Sequence, residues 1–151
     1  MKLKFSKIKH KSNIIQILNK FETSLSSLSN NKDNIYYYSE KFYKYGEVWG
    51  LYLQDSTLKL VGFVAFYAND FNKKIVYISM IAIDPTFRKL GYATILLEYL
   101  EKLCIKKDMK FMKLEVDVNN KVALNLYKNF GFEIVNKSDN NKYYLIKSLL
   151  K

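Results

Sequence analysis

The chain has 151 residues, 49% apolar and 16% aromatic, which suits one domain with a sizeable core and excludes a disordered chain. Its net charge of +11 comes from scattered lysines with a single arginine, so a patch that reads nucleic acid through clustered arginines is not expected. No apolar run approaches the ~18 residues of a membrane span, the basic start MKLKFSKIKHKSN lacks the apolar stretch of a signal peptide, and one cysteine, Cys104, excludes an internal disulfide and a cysteine-based metal site; a cytoplasmic protein without stable membrane insertion is expected.

In chain order, LKF near Leu3 reads as a short strand. Ile14, Ile15, Leu18, Phe21, Leu25 and Leu28 recur at helical spacing, and SSLSNNKDN breaks that pattern. The aromatic segment YYYSEKFYKYG (36–46) predicts a brief helix ending near Gly46. EVWGLYL and LKLVGFVAFYA read as strands, with NDFNKK as the turn that follows. IVYISMIAI is almost wholly apolar, which predicts a strand covered on both faces. A helix is expected from about Tyr92 to Ile105, then the alternating strand FMKLEVDV, then a helix over about Lys121–Phe130 that stops before Gly131. FEIVNK and YYLIKSLL close the chain as a hairpin across SDNN, whose edge strand could pair in a homodimer. The order predicts an α+β domain with α/β/α layers: a mixed, mostly antiparallel central sheet with helices on both faces.

Two segments carry chemistry. The first is 81-IAIDPTFRKLGYATILLEYL-100, which holds the only proline and the only arginine. Pro85 ends the strand, Gly91 allows a turn closed to other residues, and the helix beyond has amides without internal partners. Such a terminus attracts phosphate, and Arg88 adds a charged fork. The alternative is an ordinary strand–turn–helix joint. The segment matches neither GxxxxGK followed by Ser or Thr, nor GxGxxG. The second segment is 114-LEVDVNNKVALNLYKNFGF-132, where Asn119 or Asn120 can cap a helix carrying Ala123, Leu126 and Tyr127 on one face.

Read together as I81-x-I83-x-P85-x-x-R88-x-x-G91-x-A93 and L114-x-V116-x-x-x-N120-x-x-A123-x-x-L126-Y127-x-x-x-G131-F132, the two segments resemble the hallmark motifs of the GNAT superfamily of acetyl-coenzyme A-dependent N-acetyltransferases. The resemblance is strongest over 48–136. It implies one N-acetyltransferase domain over 1–151, within which 1–45 is a variable acceptor-side segment.

By that likeness the backbone of Ile81 and Ile83 would hold the pantetheine arm of acetyl-CoA. Arg88, Lys89, Leu90, Gly91, Tyr92, Ala93 and Thr94 would bind its pyrophosphate, Asn120 would bond the arm, and Tyr127 would be the general acid for the departing thiolate. Family members often carry glycine at the position of Lys89 and a basic residue at that of Leu90, so the charge here stands one place earlier. The base that frees the amine is left open among Glu115 (with Asp117 on its face), Asp70, His10 and a water chain. The segment 65–83 resembles acetyltransferases of surface-polysaccharide and amino-sugar pathways, which implies a small-molecule amine as acceptor. A protein or peptide amine is the alternative, and a non-catalytic CoA-binding module the third.

Overall fold

The computed structural model describes residues 2–25, 27–28 and 32–150. Seven strands form one sheet: β1 (Lys2–Lys7), β2 (Glu47–Gln54), β3 (Leu58–Asp70), β4 (Ile75–Ile83), β5 (Phe111–Asp117), β6 (Glu133–Lys137) and β7 (Lys142–Ser148). Their spatial order is β1-β2-β3-β4-β5-β7-β6. Every pairing is antiparallel except β4–β5, where the crossover helix α3 (Tyr92–Lys106) makes the strands parallel. With α1 (Lys11–Lys20), α2 (Lys32–Tyr45) and α4 (Lys121–Phe130), this gives the expected three layers.

The sheet separates two cores. On one face Leu96, Leu97, Leu100 and Cys104 of α3 and Leu124 and Tyr127 of α4 pack on Val76, Ile78, Met112 and Leu114. On the other, Ile14, Ile17 and Leu18 of α1 and Ile35 and Phe42 of α2 cover Phe63, Ala65, Met80 and Ala82. The switch within β4 comes from a bulge. Ala65 pairs with Met80 but Phe66 pairs with Ile78, so Ser79 is an extra residue without an opposite number. Ile78 therefore faces α3, Met80 faces α1 and α2, and Ile81 and Ile83 return to the α3 face.

The elements depart from the sequence pattern in four places. The apolar periodicity of 14–28 is not one helix: α1 ends at Lys20, and a 3₁₀ turn, Glu22–Ser24, follows the buried Phe21. The aromatic helix α2 is longer than expected and starts at Lys32, inside the segment read as a break; part of that break lies outside the described residues. β3 runs on to Asp70, so Asn69 and Asp70 belong to the strand. β4 is not covered on both faces along its length, since Tyr77, Ser79, Ile81 and Ile83 are only half-buried. Among the described residues no helix is long and apolar enough to cross a membrane.

Candidate active site

The strand–turn–helix segment after β4 forms an open cradle. Asp84 accepts from the amide and hydroxyl of Thr86 at 2.9 and 2.8 Å and fixes the 3₁₀ turn Pro85–Phe87. These bonds, with Lys20 nearby, hold the Asp84 carboxyl below the usual range. The chain then passes through two left-handed residues, Lys89 (φ 61) and Gly91 (φ 85). An added Cβ at Gly91 would meet nothing within 4 Å, so the turn opens onto space. The first bond inside α3 runs from the Ile95 amide to Gly91 O, leaving the amides of Tyr92, Ala93 and Thr94 ahead of it with no side-chain cap. A cavity of 570 Å³ lies in front, walled by Ile81, Ile83, Phe87, Gly91, Val122 and Leu126, among others.

Beyond Tyr77 and its partner Lys113, β4 and β5 part: residues 78–83 pair only with β3, and 114–117 only with β7. The Asp84 amide donates to Val61 O on the β3 side. Alternation along the strand then turns the backbone groups of Ile83 and Ile81 toward the gap, where a strand-like ligand can bond them.

The first turns of α4 close this gap. Asn120 caps the helix, its Oδ1 accepting from the Ala123 amide at 3.2 Å, which leaves Nδ2 as a donor. At the other end Gly131 (φ 113) lets the amides of Gly131 and Phe132 reach Lys128 O and Tyr127 O. Tyr127 is buried, and that burial pushes its phenol up to about 12. It stays protonated over the physiological range and is available as a proton donor.

On the α1–α2 face a second cavity, of 380 Å³, is lined by Ser24, Ser27, Tyr38, Tyr77, Glu115 and Lys142, with others. Glu115 and Asp117 alternate with the core residues Leu114 and Val116, so they point to this face. Tyr144 stands opposite Glu115 on β7, and the Glu115 charge raises its phenol. Burial first, and the Glu115 charge second, push the Tyr77 phenol up to about 12. Glu115 thus sits between two phenols that remain donors. Ser24, Ile81, Asn120, Ala123 and Tyr127 wall both cavities, so the two meet where β4 and β5 part.

The Acetyltransferase (GNAT) family model matches residues 14–132. The chain belongs to the GNAT family. An uncharacterized N-acetyltransferase of Methanocaldococcus jannaschii is 30% identical over 112 residues, covering 67% of this chain and 50% of that protein, so this chain spans about half the length of that curated relative. Among solved structures, the ribosomal-protein-S18-alanine N-acetyltransferase from Escherichia coli superposes with a TM-score of 0.78 at 16% identity, covering 99% of this chain and 96% of that one. A chain of the NatC complex bound to Gag peptide and CoA gives 0.72 at 19% identity, covering 99% and 100%. At these identities the structural likeness is one of fold.

Placed in this GNAT fold, Ile81, Ile83, Arg88, Lys89, Gly91, Tyr92, Ala93, Thr94, Asn120 and Tyr127 come together around the larger cavity. Leu90 does not; its side chain is 64% exposed and outside the lining. The Arg88 fork is already engaged: Nε donates to Ile83 O at 3.1 Å and an Nη donates to Ser24 Oγ at 3.0 Å. Glu115 and Asp117 line the smaller cavity. Asp117 also serves its turn, accepting from the Asn119 amide at 2.8 Å.

Asp70, expected as a base candidate, lies elsewhere. It pairs with Ile75 at the far end of β4, about 20 Å along the strand from Ile81, and accepts from the Lys73 amide to hold the hairpin turn. His10 is exposed at the start of α1, away from both cavities. Sequence reasoning did not single out Ser24, Phe87, Tyr77, Val122 or Tyr144 as site residues. Val122, 84% exposed in the first turn of α4, was detectable as an apolar residue on a helix start; nothing local marks Ser24.

Proposed function

We propose that this chain transfers the acetyl group of acetyl-CoA to the α-amine at the end of a peptide or protein chain, by direct attack on the thioester. The observation that carries this reading is the meeting of the two cavities at Tyr127, one suited to an anionic, strand-like donor and the other to a cationic amine. The donor side offers unpaired amides, a left-handed turn with open space and the backbone of Ile81 and Ile83. The acceptor side offers the Glu115 carboxylate flanked by hydroxyls. The peptide as acceptor draws support from the similarity in fold to the ribosomal-protein-S18-alanine N-acetyltransferase and to the NatC complex with its bound peptide.

The chemistry follows from the placement. The ammonium gives a proton to Glu115, directly or through water, and the free amine attacks the thioester carbon. A backbone amide of Ile81 or Ile83 stabilises the charge developing on the carbonyl oxygen. The C–N bond forms and the C–S bond breaks; the Tyr127 hydroxyl gives its proton to the leaving sulfur, the attacking nitrogen releases its second proton to water, and the phenol recovers a proton from water. With its phenol pushed up to about 12 by burial, Tyr127 keeps its proton until charge develops on the leaving sulfur.

The segment 65–83, which suggested an amino-sugar acceptor, is the β3–β4 hairpin at the centre of the sheet; most of its buried residues serve the two cores. The test is thiol release from acetyl-CoA with peptides bearing free or blocked N-termini, lysine side chains, and amino sugars. Release only with free peptide N-termini is expected. Release confined to amino sugars or to lysine side chains would replace this acceptor, and tight CoA binding without release for any acceptor would favour a non-catalytic module.

A further inference from the structure

Arg88 and Ser24 are 64 residues apart, yet the guanidinium joins them at 3.0 Å while its Nε holds the carbonyl of Ile83 at 3.1 Å. Ser24 ends the 3₁₀ turn that follows α1 and is anchored by the buried Phe21, whose ring packs on Phe63 at 5.1 Å. Among the described residues that wall both cavities, Ile81 lies on β4, Asn120, Ala123 and Tyr127 belong to α4 and its cap, and Ser24 comes from the N-terminal segment. Leu25 and Ser27, directly after it, line the acceptor cavity.

We infer that Ser24 is a positioning residue: through Arg88 it couples occupancy of the donor turn to the wall of the acceptor cavity. A guanidinium has five N–H donors, and the two bonds to Ile83 and Ser24 leave three free. An anion held by the amides after Gly91 can take one of these without displacing Ser24. Binding of the donor then stiffens the guanidinium and, through it, Ser24 and the wall that follows. Because Ser24 Oγ accepts from Arg88, its own proton stays free to donate into the junction. A second tie joins the same segments, Lys20 to Asp84 at 3.4 Å, but its lysine is half-exposed and screened by solvent, and the pair lines neither cavity. The inference rests on the donor reading above and not on the identity of the acceptor.

Hydrogen–deuterium exchange of the full chain, with and without saturating CoA, tests it, with CoA affinity measured separately by calorimetry. In the wild type, in Lys20→Ala and in the hydroxyl-keeping Ser24→Thr, CoA is expected to slow exchange over residues 21–25 about fivefold or more. Ser24→Ala should lose that protection while its CoA dissociation constant stays within about threefold, since one neutral acceptor is removed from a guanidinium that keeps its others. With a peptide acceptor, the KM for peptide should rise about fivefold or more in Ser24→Ala, with a smaller change in kcat. Equal protection in Ser24→Ala and the wild type would overturn the coupling, as would CoA binding to the wild type without protection. Failure of CoA to bind the wild type at all would overturn the donor reading and the coupling with it.

Discussion

Tyr127 and Phe132 are joined twice: the Phe132 amide donates to the Tyr127 carbonyl at 2.9 Å, and the two rings meet edge to face at 5.7 Å and 72°. The end of α4 therefore sets the direction of the phenol that the two cavities share. Removing only the hydroxyl keeps both contacts. Tyr127→Phe should lower kcat about 100-fold or more and leave CoA affinity within about threefold, because the bond to sulfur strengthens only as charge develops there. Steady-state kinetics beside calorimetry checks this; equal losses in both would remove the acid assignment.

The same burial has a consequence for stability. The Tyr127 phenol stands at about 12 in the fold, against about 10 for an exposed tyrosine. Its pKa is raised on folding, so its contribution is fully present below pH ~10 and is lost as pH rises toward ~12, by about 3 kcal/mol in all. Denaturant melts across that window should show a shallower fall for Tyr127→Phe than for the wild type. Parallel curves would mean that the phenol is not held in dry surroundings.

Glu115 faces Tyr144 across β5 and β7 and shares its cavity with Tyr77. As the acceptor of the ammonium proton it should be replaceable in shape but not in charge. Glu115→Gln should lower kcat about 10-fold or more near neutral pH, and the rate should climb with pH toward the free-amine range near ~8, where solution supplies the deprotonated acceptor. Wild-type kinetics in this variant would move the proton's path to water or to Asp117.

Gly91 holds φ 85 at the mouth of the donor turn, whereas Arg88 spends two of its donors inside the protein. A β-branched residue at Gly91 must adopt a backbone that costs ~1–2 kcal/mol and fills the space before the amides. Gly91→Val is expected to weaken CoA binding more than Arg88→Ala, which should weaken it without abolishing it. Unchanged CoA binding in Gly91→Val would be incompatible with a phosphate site at this turn.

What was legible in the sequence divides along the same line. The donor turn consists of near-consecutive residues, so Pro85, Arg88, Gly91 and Ala93 announce it, as Asn120 and Gly131 announce the two ends of α4. The acceptor cavity draws on stretches far apart in the chain, and no spacing rule joins Ser24, Tyr38, Tyr77, Glu115 and Lys142. The bulge at Ser79 was hidden because IVYISMIAI is apolar on either register, so a shift of one residue leaves no trace in the pattern. The periodicity from Ile14 to Leu28 survived the end of α1 because Phe21, Leu25 and Leu28 still pack inward from turns. Asp70 looked like a loop carboxylate but is the last residue of β3, and the length of β4 carries it away from the gap.

The central claim is that donor and acceptor cavities on opposite faces of the sheet are one continuous site through the parting of β4 and β5. A conjugate that links the sulfur of CoA through an acetyl bridge to the α-amine of a peptide tests it by calorimetry. The conjugate is expected to bind about 100-fold or more tightly than CoA alone, since the second cavity is filled without a second loss of freedom. The same conjugate with its peptide portion removed should fall back to the affinity of CoA. A conjugate that binds no better than CoA, or more weakly, would contradict the account.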